Sequence, residues 1–188
     1  MTNTSPGTLV IERDPRKIVA GRYVVDPIHT RVRFSVVHFG VSNYWGEFYG
    51  PIGRLEIDPA SPDKTSIDVS VSTAQIKTNS MLLDAELKSA DWFDVARFSR
   101  ISLVGKGITL QGASSATLTG DFTLHGFTRP VEFSIEFTGA GISPFTGSPV
   151  IGFEAKAIIS RREFGICAKY PIVGDLVTLM ISAAFDYA

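Results

Sequence analysis

Val131-Glu132-Phe133-Ser134-Ile135-Glu136-Phe137 decides the fold. Apolar and polar residues alternate at every position, which in an extended chain puts all the apolar side chains on one face. A helix would scatter them around its axis. The stretch is therefore a strand with one face in a core and the other in water. The same period recurs far away: Val32, Phe34 and Val36 alternate with Arg31, Arg33 and Ser35, and Ile67, Val69 and Val71 with Asp68, Ser70 and Ser72.

Further strand-like runs cover residues 45–57, 101–110, 116–124, 150–159 and 176–187. Turn signals separate them, among them Asp58-Pro59, Ser61-Pro62-Asp63, Gly105-Lys106-Gly107 and His125-Gly126. Strands this short and closely spaced predict an all-β sandwich or barrel, not a parallel α/β sheet. The alternation places Phe34, Val36, Val69, Val71, Phe122, Phe133, Ile135 and Phe153 on the inward face. A slip of one residue would turn a whole strand inside out.

One segment refuses the pattern. Residues 79–92 carry Leu83, Leu87 and Ala90 at helical spacing, with Asn79 or Ser80 available as N-cap. Met81, Leu82, Leu83, Leu87 and Trp92, with Phe93 just beyond, give it too much apolar surface for a free helix. It is expected to lie over an opening in the β-structure as a lid, with Leu83, Leu87, Trp92 and Phe93 closing the interior.

The whole chain sets bounds on this picture. Its 188 residues suit one β-rich domain, residues 21–188, preceded by a polar arm over residues 1–20 that crosses a neighbouring subunit or is disordered. A hydrophobic fraction of 44% against 20% charged residues marks a folded chain. Eighteen basic residues face 19 acidic ones, and adjacent basic residues come only as Arg16-Lys17 and Arg161-Arg162. That removes the charge on which nucleic-acid and anionic-membrane binding depend. The single cysteine, Cys167, rules out an internal disulfide and reads as an inert buried thiol. Leu9-Val10-Ile11 is cut short by Glu12, so the start does not read as a secretory leader, and no apolar run is long enough to span a bilayer. The expectation is a cytoplasmic protein. An edge strand and the arm point to a homodimer.

Little in the sequence suggests chemistry. His29 and His38 sit at opposite ends of one strand, and a neutral imidazole bonded to Asp26 or to backbone explains the first better than a metal does. His125 belongs to a hairpin turn, and no spacing matches a zinc motif. Asp84 and Glu86, two apart on the expected helix, face different ways and are a poor acid–base pair. Arg161, Arg162 and Lys169 either meet a ligand head at the barrel mouth or are solvated surface charge.

Several stretches, in order, resemble the YceI-like polyisoprenoid-binding family. They include Asp26-Pro27-Ile28-His29-Thr30, Phe34-Ser35-Val36-Val37-His38-Phe39-Gly40-Val41, and Leu87-Lys88-Ser89-Ala90-Asp91-Trp92-Phe93-Asp94. Gly120-Asp121-Phe122-Thr123-Leu124-His125-Gly126, Ser160-Arg161-Arg162-Glu163-Phe164-Gly165 and Val173-Gly174-Asp175-Leu176-Val177 continue it. The resemblance implies a lipocalin-like antiparallel β-barrel of about eight strands with a short helical lid. It implies a long apolar cavity for an isoprenoid lipid of quinone or polyprenyl type, held for storage, shielding or transport, with no cofactor required. Arg161 and Phe164 join the inward and lid residues in that ligand-binding set. Two departures touch polar positions. Leu83-Asp84 and Glu86 stand where the family commonly has Arg-Asp and then a histidine, and Ser160-Arg161 where it has Asn-Arg. The tail site therefore carries over more safely than any head-group specificity. Two other readings stay open: an enzyme acting on a bound lipid, with His29, His38, Asp84 and Arg161 to test, and a stress or interaction protein using the barrel as scaffold.

Overall fold

In the computed structural model, which describes residues 10–188, the alternation resolves into twelve strand segments and one α-helix. In chain order they are β1 (Gly21–Val25), β2 (Arg31–His38), β3 (Ser42–Phe48), β4 (Ile52–Ile57), β5 (Ser66–Ser72) and β6 (Ile76–Lys77). The helix α1 (Met81–Leu87) follows. Then come β7 (Arg100–Lys106), β8 (Thr109–Leu110), β9 (Ser115–Leu124), β10 (Phe127–Ile142), β11 (Pro149–Ser160) and β12 (Val173–Tyr187).

Several segments are halves of one broken strand. β12 pairs with β2 up to Ser182↔Arg31 and then with β1 from Phe185↔Val25. The break at residues 26–30 has a local cause. Pro27 has no N–H to give, and the Asp26 carboxylate accepts from the backbone N–H of Ile28 (2.9 Å) and His29 (3.1 Å), curling the chain into a turn. β3 and β4 are broken beside it at Tyr49-Gly50-Pro51, where Gly50 takes φ 64. The expected run 45–57 is thus two strands, and the run 101–110 divides likewise around Gly107 into β7 and β8. With each broken strand counted once, the chain forms a closed antiparallel barrel of eight strands, sealed where β12 returns to β1. Closure leaves the barrel with an inside, and the inward faces supply it.

Residues 10–18 lie on their own barrel. Glu12 and Ala140 exchange backbone hydrogen bonds of 2.8 and 2.9 Å, and Ile18 is buried with Tyr23, Leu55, Ile57, Phe137, Ile151 and Phe185 in the lower core. This stretch of the expected arm is thus ordered on the barrel of the same chain; residues 1–9 lie outside the described residues. A second, upper core gathers around Phe48, Phe122, Phe133 and Phe164.

The helix is shorter than its pattern suggests. Ser80 caps it, its Oγ accepting from Leu83 N at 3.3 Å, and turns take over after Leu87. Met81 and Leu82, counted above as part of its covering surface, instead point outward and are 84% and 86% exposed. Leu83 and Leu87 turn towards the barrel, with Glu86 beside them.

A two-chambered apolar cavity as the candidate functional site

The inward faces do not fill the barrel. Two chambers remain, a lower one of about 200 Å³ and an upper one of about 460 Å³. Their combined space suits a ligand pocket, whose usual size is roughly 300–1,000 Å³.

Val69, Val71, Phe133, Ile135 and Phe153 line the lower chamber, joined by Leu55, Ile57, Ile67 and Phe185. Val36, Leu83, Leu87, Trp92, Phe93 and Arg161 line the upper one. Phe34 and Phe122 border both. Phe164 lines neither. It is 1% exposed and packs edge-on against Phe122 at 5.7 Å within the upper core, without bordering either chamber.

The polar groups of the upper chamber are nearly all engaged by the protein. Arg161 is 4% exposed, so it is not solvated surface charge. Its guanidinium donates to the carbonyls of Gly174 (2.8 Å), Ile166 (2.9 Å) and Val173 (2.8 Å), and it lies 5.4 Å from the Trp92 ring centroid. It ties down the loop that leads into β12. Burial lowers its pKa, with Asp175 opposing, yet a guanidinium stays charged. Glu86 Oε1 accepts from Trp92 Nε1 (3.1 Å) and from Lys169 Nζ (2.5 Å). The Lys169 hydrogen bond, helped by Trp92, holds the Glu86 carboxyl below its usual range. The Tyr44 hydroxyl donates to Asn79 Oδ1 at 2.5 Å.

Asp84 and His29 take no part in either chamber. Asp84 accepts from Thr78 N (2.6 Å) and Thr78 Oγ1 (2.8 Å) and faces Lys77 Nζ at 3.4 Å; the Thr78 hydroxyl is the main reason its pKa is lowered. It anchors the chain in front of α1. His29 Nδ1 meets Asp26 Oδ2 at 2.5 Å on the outer surface. His38 alone of the histidines lines the upper chamber. His125 takes φ 52 and Gly126 φ 78 in the tight turn between β9 and β10, the geometry such hairpins require. Cys167 is exposed, contrary to the buried thiol expected, because Phe164 and Ile166 take the inward positions around it. No cluster of His, Cys, Asp or Glu suited to a metal occurs among the described residues, and no helix among them is long and apolar enough to cross a membrane.

Sequence reasoning missed Phe48, Ile101 and Leu179, which border both chambers. Ile101-Ser102-Leu103 carries alternation that would have found Ile101, whereas Phe48 stands on the opposite phase from Trp45 and had no such signal. The Glu86–Lys169 pair had no signal, being 83 residues apart in partners that only the fold brings together.

Comparison with known proteins agrees with this architecture. A family model described as the YceI-like domain matches residues 23–185. A UPF0312 protein of Pseudomonas fluorescens (strain SBW25) is 34% identical over 157 residues, covering 82% of this chain and 81% of its own. The crystal structure of Burkholderia cenocepacia BcnA superposes with a TM-score of 0.77 at 19% identity, over 85% of this chain and 98% of that one. A domain from Saccharophagus degradans, described as polyisoprenoid-binding, gives a TM-score of 0.64 at 8% identity, over 90% of this chain and 100% of its own. With its closed eight-stranded barrel and a domain match running almost from end to end, the chain belongs to the YceI-like family.

Proposed function

We propose that the barrel binds the apolar tail of a long-chain isoprenoid, of quinone or polyprenyl type, and stores, shields or shuttles it without chemistry of its own. The observation that carries this reading is two apolar chambers in series along one closed barrel. Such a shape suits a long, thin, water-insoluble chain better than a compact polar substrate. The Saccharophagus degradans neighbour, described as a polyisoprenoid-binding domain, supports the same class of ligand.

The energetics allow it. Each buried CH₂ contributes about 0.8 kcal/mol, and ordering the tail and the partners offsets a large part of the total. No hydrogen bond to the tail is needed. Of the four residues the enzyme reading would use, only His38 and Arg161 line the same chamber, and Arg161 is spent on three carbonyls, while Asp84 and His29 are engaged away from the chambers. The reading calls for no cofactor.

Trp92 offers the test. It is 8% exposed and lines the upper chamber, whereas Trp45, the other tryptophan, is 48% exposed. In a Trp45→Phe variant, titration with a long polyprenol such as solanesol should shift and saturate the Trp92 emission near one ligand per barrel. An emission that never changes, with the barrel folded, removes the reading.

A further inference from the structure

The two chambers share part of their walls. Phe34, Phe48, Ile101, Phe122 and Leu179 line both. Phe34, Phe48 and Leu179 come from the neighbouring strands β2, β3 and β12, while Ile101 and Phe122 come from β7 and β9 across the barrel. They form a waist between an upper chamber of about 460 Å³ and a lower one of about 200 Å³. The Phe34 and Phe48 rings lie 5.8 Å apart, and Phe34 pairs with Leu179 on one side and Gly46 on the other.

Gly46 sets where the Phe34 ring rests. A Cβ at residue 46 would stand 2.6 Å from Phe34 Cε1, closer than van der Waals contact permits. The far end of the ring therefore occupies the space above the glycine that a side chain would take. Because Phe34 and Gly46 are direct cross-strand partners on the inward face, any side chain at 46 pushes the ring into the lumen.

We infer that this waist selects the isoprenoid tail by length: a short tail ends in the upper chamber, and only a chain that passes Phe34 fills the lower one. The inference rests on the isoprenoid reading above. It makes the waist, with Phe34 as its movable part, the element that sets chain-length preference. A tail that passes gains burial for each methylene in the lower chamber, and losing two of them already costs roughly tenfold in affinity.

The experiment compares solanesol with farnesol as probes and reads the ratio of their affinities, in variants that act on the waist in opposite directions. Gly46→Ala narrows it and should lower the solanesol-to-farnesol preference by about tenfold. Phe34→Leu, which keeps an apolar side chain and is the gentler change for folding, widens it and should raise the preference; Phe34→Ala should raise it further. Melting curves check that each variant folds, and Phe48→Leu serves as an independent widening variant should Phe34→Ala fail to fold. Opposite shifts in the ratio support the length selector. A ratio that stays constant, or moves the same way in narrowed and widened barrels, overturns it while leaving isoprenoid binding intact. Wild-type protein that binds neither alcohol defeats the functional reading first, and the selector with it.

Discussion

Glu86 on α1 and Lys169 on the loop before β12 meet at 2.5 Å, joining the lid to the opposite rim of the upper chamber. Both are partly exposed, at 35% and 55%, so water and salt screen the pair and its share of stability stays under about 1 kcal/mol. Its effect is expected on exchange. Lys169→Ala should speed release of a bound polyprenol several-fold, measured by stopped-flow transfer to lipid vesicles, with little change in melting temperature. The pH dependence has a definite sign. The Glu86 carboxyl is depressed in the folded protein, so the pair is complete at neutral pH and is lost as pH falls through that depressed range, below the usual 4.5. Release should accelerate there in wild type and not in Lys169→Ala.

Asp84 does structural work. Its carboxylate holds both the N–H and the hydroxyl of Thr78. Asp84→Ala leaves the Thr78 N–H without an acceptor and the hydroxyl with only Ser80 O at 3.1 Å, so the melting temperature should fall and α1 should lose amide-exchange protection first. The carboxyl sits below its ordinary 3.8, so this contribution is full above that value and is lost as pH drops through the folded pKa. Wild type and Asp84→Ala should therefore converge in stability at acid pH, as read from denaturation midpoints across pH.

Arg161 is the costliest polar residue to replace. Removing it strands the carbonyls of Gly174, Ile166 and Val173 beside a buried wall. Arg161→Ala should lose about 3 kcal/mol or more in urea denaturation. Arg161→Lys should recover little of this, since an ammonium is a point donor and cannot span the three carbonyls as the planar fork does.

The barrel was legible because alternation such as Val131 to Phe137 needs no tertiary information to assign a face. The lid helix was legible from its change of period. Where the sequence misled, identifiable forces took over. The runs 45–57 and 101–110, each expected as one strand, are divided by turns at Tyr49-Gly50-Pro51 and around Gly107, because a turn inside an otherwise strand-like run leaves the alternation on both sides intact. β12 reads Leu176-Val177-Thr178-Leu179-Met180-Ile181, a run apolar on both phases, so Leu179 could not be placed on the inner face from sequence. Phe164 is an aromatic in a motif, yet it packs in the core beside Phe122 without bordering either chamber; Arg161 is a charge whose partners are backbone carbonyls, which sequence never displays. The apolar lining of the chambers was thus readable in residues that alternate, and the partners of the polar groups around the upper chamber were not, because the fold brings them together from distant segments.

The central claim is that one long apolar chain occupies the barrel. Native mass spectrometry of the protein purified from its own cells tests it most directly, before and after extraction with organic solvent. The expected result is an added mass corresponding to a single isoprenoid lipid, removed by extraction, restored by solanesol, and much reduced in Val69→Phe, which fills the lower chamber. Protein that carries only its polypeptide mass, and that takes up no polyprenol when offered one, would contradict the account.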